Sequence, residues 1–131
     1  MGGTFRLKNE DFFYELVPDE RTDIEKALLR LSVEQKCDVV LTTGGTGLSK
    51  RDVTPDATRN LRGIREIKGI AEALRAHARR YERHATLSRA FSGCLNEKTL
   101  IVNLPGRPKA VKESLSVLLP ILNHAVKLIQ S

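Results

Sequence analysis

Three short segments hold the residues best suited to chemistry. TTGGTG runs from Thr42 to Gly47, RDVTPDAT from Arg51 to Thr58, and NLPGRPKAVKE from Asn103 to Glu113. A glycine loop between a buried strand and a helix lets backbone N–H groups converge on an anion at the carboxyl edge of a sheet. A tight turn calls for the same glycines, so TTGGTG alone divides evenly between a phosphate site and a plain turn. It matches neither GxGxxG nor the Walker-A pattern, because Lys50 falls outside the required position. RDVTPDAT shifts the balance by adding two carboxylates and two hydroxyls directly behind the loop. Carboxylates beside a phosphate site point to a divalent cation, and Mg²⁺ is typically held by one or two carboxylates, waters and substrate phosphates. Asp52 is the first candidate. Asp56 reads better as a first-turn residue favoured by the helix dipole, and Thr54 as an N-cap. Lys50, Arg51, Arg107 and Lys109 are placed to assist with an anion's charge, although such residues are more often just solvated basic side chains.

Other reactive groups are poorly arranged for chemistry. His77, His84 and His124 show no zinc-ligand spacing. Ser88 and Ser92 have no nearby His and Asp partners arranged for nucleophilic attack, and GxSxG is absent, which argues against a serine hydrolase.

The segments need a scaffold, and hydropathy patterning supplies one. Phe12 to Val17 reads as a strand that stops at Pro18-Asp19. Thr22 and Glu25 have capping-box spacing, and Ile24, Ala27, Leu28 and Leu31 give the helix they open one apolar face. Val39 to Leu41 is continuously apolar, as in a strand covered on both faces with a parallel neighbour. A helix follows from Thr54-Pro55, and another runs from Gly69 to about Tyr81. Leu87 to Cys94 and Leu100 to Asn103 read as a hairpin around Asn96-Glu97. A last helix spans Val111 to Ile129, split or kinked at Pro120. These elements predict one domain over residues 1–131, an α/β three-layer sandwich with a mostly parallel sheet.

Composition narrows the ligand. Lys and Arg outnumber Asp and Glu by 22 to 16, so the field favours anions. Aromatic residues make up only 5% and Trp is absent, which disfavours a base-stacking surface and so nucleic acid. The longest apolar stretch, Leu115 to Ile129, is interrupted too often to span a membrane. Cys37 and Cys94 show no disulfide framework and are expected to be buried thiols. With no export-signal pattern at the N-terminus, a cytoplasmic location is expected.

In this order, and together with VPDE at Val17 to Glu20, the three segments resemble the molybdopterin adenylyltransferase family, which includes the amino-terminal domain of gephyrin. The resemblance runs from about Tyr14 to the C-terminus and implies a molybdopterin-binding-like fold, truncated at its N-terminus. In relatives a strand ending in a Ser-Asp loop and then a helix, roughly 30 residues in all, precede this point; before Phe12 no such unit is read. Thr4 to Leu7 is the stretch that could pair in its place, without a Ser-Asp pair. Lys68 stands where relatives usually have Pro.

The resemblance also implies a reaction, the adenylylation of molybdopterin by ATP with Mg²⁺. Asp19 and Asp52 would be the catalytic and metal-binding carboxylates. Thr43, Gly44, Gly45, Thr46 and Gly47 would line the pterin phosphate site, Asn103, Pro105 and Gly106 would form the opposing wall, and Ser88 would add a polar contact. Molybdopterin and ATP are the implied partners, in a homo-oligomer expected to be a trimer. Two other readings stand beside this one: a molybdopterin-binding or scaffold module with impaired catalysis, and a nucleotide-hydrolysing domain related to the competence-damage proteins.

Overall fold

The computed structural model describes residues 2–5, as backbone, and residues 12–131. The described chain forms one six-stranded sheet of order β2-β1-β3-β6-β5-β4. The strands are β1 (Gly2–Phe5), β2 (Tyr14–Glu15), β3 (Val39–Thr43), β4 (Ile64–Glu66), β5 (Ser92–Leu95) and β6 (Thr99–Leu104). The helices are α1 (Arg21–Leu29), α2 (Thr54–Arg59), α3 (Lys68–Ala78) and α4 (Pro108–Gln130). A π-helical turn, Arg30–Glu34, extends α1, and a 3-10 turn, Arg83–Leu87, follows α3.

Alternation along the central strands separates two cores. Val40 and Ile101 pack with Ile24, Leu28 and Leu31 of α1 and Ala57 of α2. Val39, Leu100 and Val102 face the other way, onto Ile70 and Leu74 of α3 and Leu118, Leu122 and Val126 of α4. Strand residues pointing alternately to two helical layers explain why Val39 to Leu41 of β3 are apolar without a break. The three-layer α/β sandwich is therefore observed.

The sheet is mixed rather than mostly parallel. β2, β3, β4 and β6 point one way and β1 and β5 the other, yet β3 with β6 is the one parallel pair of neighbours in the described sheet. The expectation of a parallel neighbour for β3 holds on the β6 side. On its other side lies β1, antiparallel, with Gly2 opposite Thr42 and Phe5 opposite Val39. Of the stretch Thr4 to Leu7, residues 6 and 7 lie outside the described residues.

Other boundaries differ from the sequence reading for identifiable reasons. The Phe12 to Val17 strand contracts to Tyr14–Glu15, since it borders only Gly2 and Gly3 at the sheet edge. Thr22 is not a cap: α1 begins at Arg21, and Glu25 instead pairs with Arg21 at 3.4 Å and accepts from Asn60 at 3.1 Å. Val53, not Thr54, precedes α2, with proline in its first turn. The hairpin forms as expected over Asn96 and Glu97, at φ of 53° and 54°. Its first strand starts at Ser92 rather than Leu87, because the preceding chain turns away to meet the TTGGTG loop. Ser92 also supplies α3 with a cap from outside, its hydroxyl accepting from Ala71 N–H at 2.9 Å. Pro120 does not split α4, which runs unbroken for 23 residues. Pro120 and Ser116 are both exposed, so the carbonyl left without a donor meets water, while Leu118 and Leu122 anchor the buried side. No helix among the described residues is long and apolar enough to cross a membrane.

Candidate active site

The parallel pairing of β3 with β6 brings two of the three segments together. Thr43 lies opposite Leu104, so the loops that leave these strands start side by side. Gly44 N–H donates to Leu104 C=O at 3.0 Å. A side chain on Gly106 would bring its Cβ to 3.3 Å from the Gly44 Cα, so the contact depends on glycine. Gly45, at φ of 69°, packs against the Thr54 hydroxyl so closely that a Cβ would overlap it. Thr54 N–H in turn donates to Gly45 C=O at 3.2 Å, tying the loop to α2.

Beside these loops lies a cleft of about 480 Å³. Thr46, Gly47, Pro105 and Gly106 form one wall, and Ala71, Leu74 and Ala78 of α3 supply an apolar one. Ser88, Ala85 and Tyr81 close the far side, and Arg75, Arg107 and Lys109 make the rim basic. α4 opens onto it with Pro108 in the first turn and no side-chain cap, so the unpaired first-turn N–H groups and the helix dipole both favour an anion. Burial, and secondarily the charge of Glu113, push the Tyr81 phenol above its ordinary pKa, and the phenol keeps its proton at neutral pH.

Asp52 stands behind Gly47: a Cβ there would lie 2.9 Å from Asp52 Oδ2. That oxygen accepts from Ser49 N–H at 3.0 Å, which fixes the half-buried carboxylate. Asp19 is exposed on the loop before α1 and reaches Arg51 at 4.0 Å, so VPDE adjoins RDVTPDAT. Among the described residues no group of three or more His, Cys, Asp or Glu could hold a metal ion. Two carboxylates on adjoining loops nonetheless match the donor set of Mg²⁺, which takes its remaining ligands from phosphates and water.

Several expected residues have roles other than direct contact. Asn103 borders the cleft, but its side chain is consumed internally: Nδ2 donates to the Thr42 and Thr58 hydroxyls at 3.0 and 3.2 Å, and Oδ1 accepts from Phe91 N–H at 3.0 Å. Ser88 lines the cleft and accepts from Ala90 N–H at 3.2 Å. Thr43 does not border the cleft, and its buried hydroxyl finds no partner among the described residues.

Arg89 escaped the sequence reading. Its guanidinium donates to the carbonyls of Gly47 (2.9 Å) and Asp52 and to the Asp56 carboxylate (3.0 and 3.2 Å). Asp56 is therefore an ion-pair partner as well as a first-turn residue. The hydrogen bond from Arg89 holds the Asp56 carboxyl below the usual carboxylate range, against the opposing effect of desolvation. The available signal was an arginine set among small and apolar neighbours in LSRAFSGC, where an unpaired charge would be costly.

Residues 7–124 match the family described as a probable molybdopterin binding domain. A molybdopterin adenylyltransferase of Helicobacter pylori is 44% identical over 125 residues, 95% of this chain and 70% of the relative. Its counterpart in Escherichia coli is 47% identical over 100 residues, 76% of this chain and half of the relative. Among solved structures, the molybdopterin biosynthesis enzyme MoaB of Thermus thermophilus superposes with a TM-score of 0.81 at 48% identity, over 89% of this chain and 72% of that one.

Proposed function

This chain belongs to the molybdopterin-binding domain family, and from that premise we propose that it is a molybdopterin adenylyltransferase of molybdenum cofactor biosynthesis. In the proposed reaction an oxygen of the terminal phosphate of molybdopterin attacks the α-phosphorus of ATP. A new P–O bond forms as the bond to the departing pyrophosphate breaks. The observation that carries the reading is the side-by-side meeting of the Gly44 and Gly106 loops beside the half-buried Asp52 and the basic cleft.

Two phosphorylated substrates bring several negative charges into one place, and the chain's own groups oppose that repulsion. Backbone N–H groups of the glycine loops and the first turn of α4 orient a phosphate, and Arg75, Arg107 and Lys109 offset its charge at the rim. The apolar wall of Ala71, Leu74 and Ala78 suits a planar heterocycle and excludes water from its face. Mg²⁺, held by Asp52 and Asp19 with substrate oxygens and water, would neutralise phosphate charge at the point of transfer. The proposal includes a cytoplasmic protein that assembles as a homo-trimer.

The test is to mix the protein in excess with molybdopterin and MgATP and follow formation of adenylylated molybdopterin and pyrophosphate in a single turnover. Molybdopterin binding without either product would overturn catalysis and support the second reading, a binding module with impaired transfer. One observation favours that second reading: the strand beside β3 is the GGTF of Gly2–Phe5, antiparallel and without the Ser-Asp pair that the resemblance leads one to expect near the nucleotide.

A further inference from the structure

Arg89 ties the glycine loop to the aspartate loop through its backbone and each arm of its side chain. Its N–H donates to Thr46 C=O at 2.8 Å, and Nε donates to Gly47 C=O at 2.9 Å. Nη2 donates to Asp52 C=O, and Nη1 and Nη2 reach the two Asp56 oxygens at 3.2 and 3.0 Å. A guanidinium is a rigid planar fork, so acceptors bound to its different nitrogens are held at fixed separations. Two of those acceptors are the backbone carbonyls of Gly47, on the wall of the cleft, and of Asp52, the candidate catalytic carboxylate. Asp56 completes the fork from α2 and neutralises its charge.

We infer that Arg89 is a positioning residue, whose guanidinium sets the placement of Asp52 relative to the glycine loop and thereby the alignment of the transferring phosphate. The inference rests on the adenylylation reading above. Reactions that depend on alignment lose rate steeply with small displacements, whereas binding of the same substrate is less sensitive. A lysine at this position would keep the positive charge beside Asp56 but lose the fork. Asp56→Asn would weaken the ion pair yet leave the guanidinium on both carbonyls.

The experiment compares Arg89→Lys and Asp56→Asn with the wild-type protein. Single-turnover transfer, the molybdopterin Kd, thermal unfolding and amide hydrogen exchange over residues 44–52 without ligand are measured for each. Arg89→Lys is expected to slow transfer by about 10- to 100-fold, with Kd within about 3-fold and faster exchange over residues 44–52. Asp56→Asn is expected to unfold at lower temperature yet transfer within about 3-fold of wild type. Wild-type transfer by Arg89→Lys would overturn the inference. So would equal slowing in both variants at matched folded fraction, because the pair would then act through stability alone. If the wild-type protein forms no adduct, the proposed function has failed and hydrogen exchange decides the question. Acceleration confined to Arg89→Lys upholds the clamp, and unchanged exchange overturns it.

Discussion

Replacing Asn103 by alanine tests whether this residue organises the site from within or serves as its wall. The side chain is 1% exposed and makes three hydrogen bonds, joining β6 to Thr42 of β3, Thr58 of α2 and the chain at Phe91. Truncation leaves the buried Phe91 N–H and the Thr42 hydroxyl without this partner, while the Thr58 hydroxyl still donates to Thr54 C=O. A buried polar group left unsatisfied costs about 1–3 kcal/mol, so two of them cost roughly 2–6 kcal/mol in total. Small domains are stable by only about 5–15 kcal/mol, so the loss is a large fraction of the whole. Denaturant unfolding followed by circular dichroism should show it at unchanged m-value, together with a fall in Tm of roughly 10–20 °C. Asn103→Asp keeps the shape but buries a charge, so its stability relative to wild type should improve as pH falls and the carboxyl gains a proton. A loss below about 1 kcal/mol for Asn103→Ala would refute the reasoning, because water or rearrangement would then be replacing the amide.

Asp52→Asn should reduce adenylyl transfer by at least about 100-fold while molybdopterin binding stays within a few-fold, read by single turnover beside a binding titration. Gly45→Ala should destabilise by about 1–3 kcal/mol because of its positive φ and the Thr54 hydroxyl. Gly69→Ala, in the first turn of α3 with open space around it, should be neutral or gain up to about 1 kcal/mol, and calorimetry on both variants checks the opposite signs. Arg89 depresses the folded-state pKa of Asp56, so the pair's stabilisation is present above the ordinary carboxylate range and is lost as pH falls through the depressed value. The difference in Tm between wild type and Asp56→Asn should accordingly shrink in strong acid. Light scattering should report a trimer, and a stable monomer at micromolar concentration would count against that assembly.

How much of the molecule could be read from its sequence depended on whether a feature is local. Val39 to Leu41 announced a strand between two layers, and Asn96-Glu97 announced the hairpin, because burial and turn geometry act directly on those residues. The glycine loops were visible for the same reason. β4 was not, since Ile64, Arg65 and Glu66 form a short edge strand with one half-buried residue and two exposed ones, too little for a period-two pattern. The capping box failed because Glu25 found better partners in Arg21 and Asn60, a competition decided by tertiary structure. Pro120 was read as splitting or kinking the last helix, and it does not split it, because packing on both sides overrode local preference. Arg89 and the interior role of Asn103 were hidden for a related reason. Their partners come from β3, the glycine loop and α2, and a single sequence does not show which distant groups a side chain will meet.

The ladder that starts at Val39 and Leu100 joins two strands separated by nearly half the chain and brings the Gly44 loop to the Gly106 loop. The β5–β6 hairpin needs only a short-range closure, whereas the β3–β6 ladder must overcome the entropy of a long loop before it gains any contact. During synthesis the cleft therefore has no physical existence until β6 has emerged and docked. A ligand that spans both loops acts as a thermodynamic reporter of that closure, binding the finished sheet and none of its partly assembled forms.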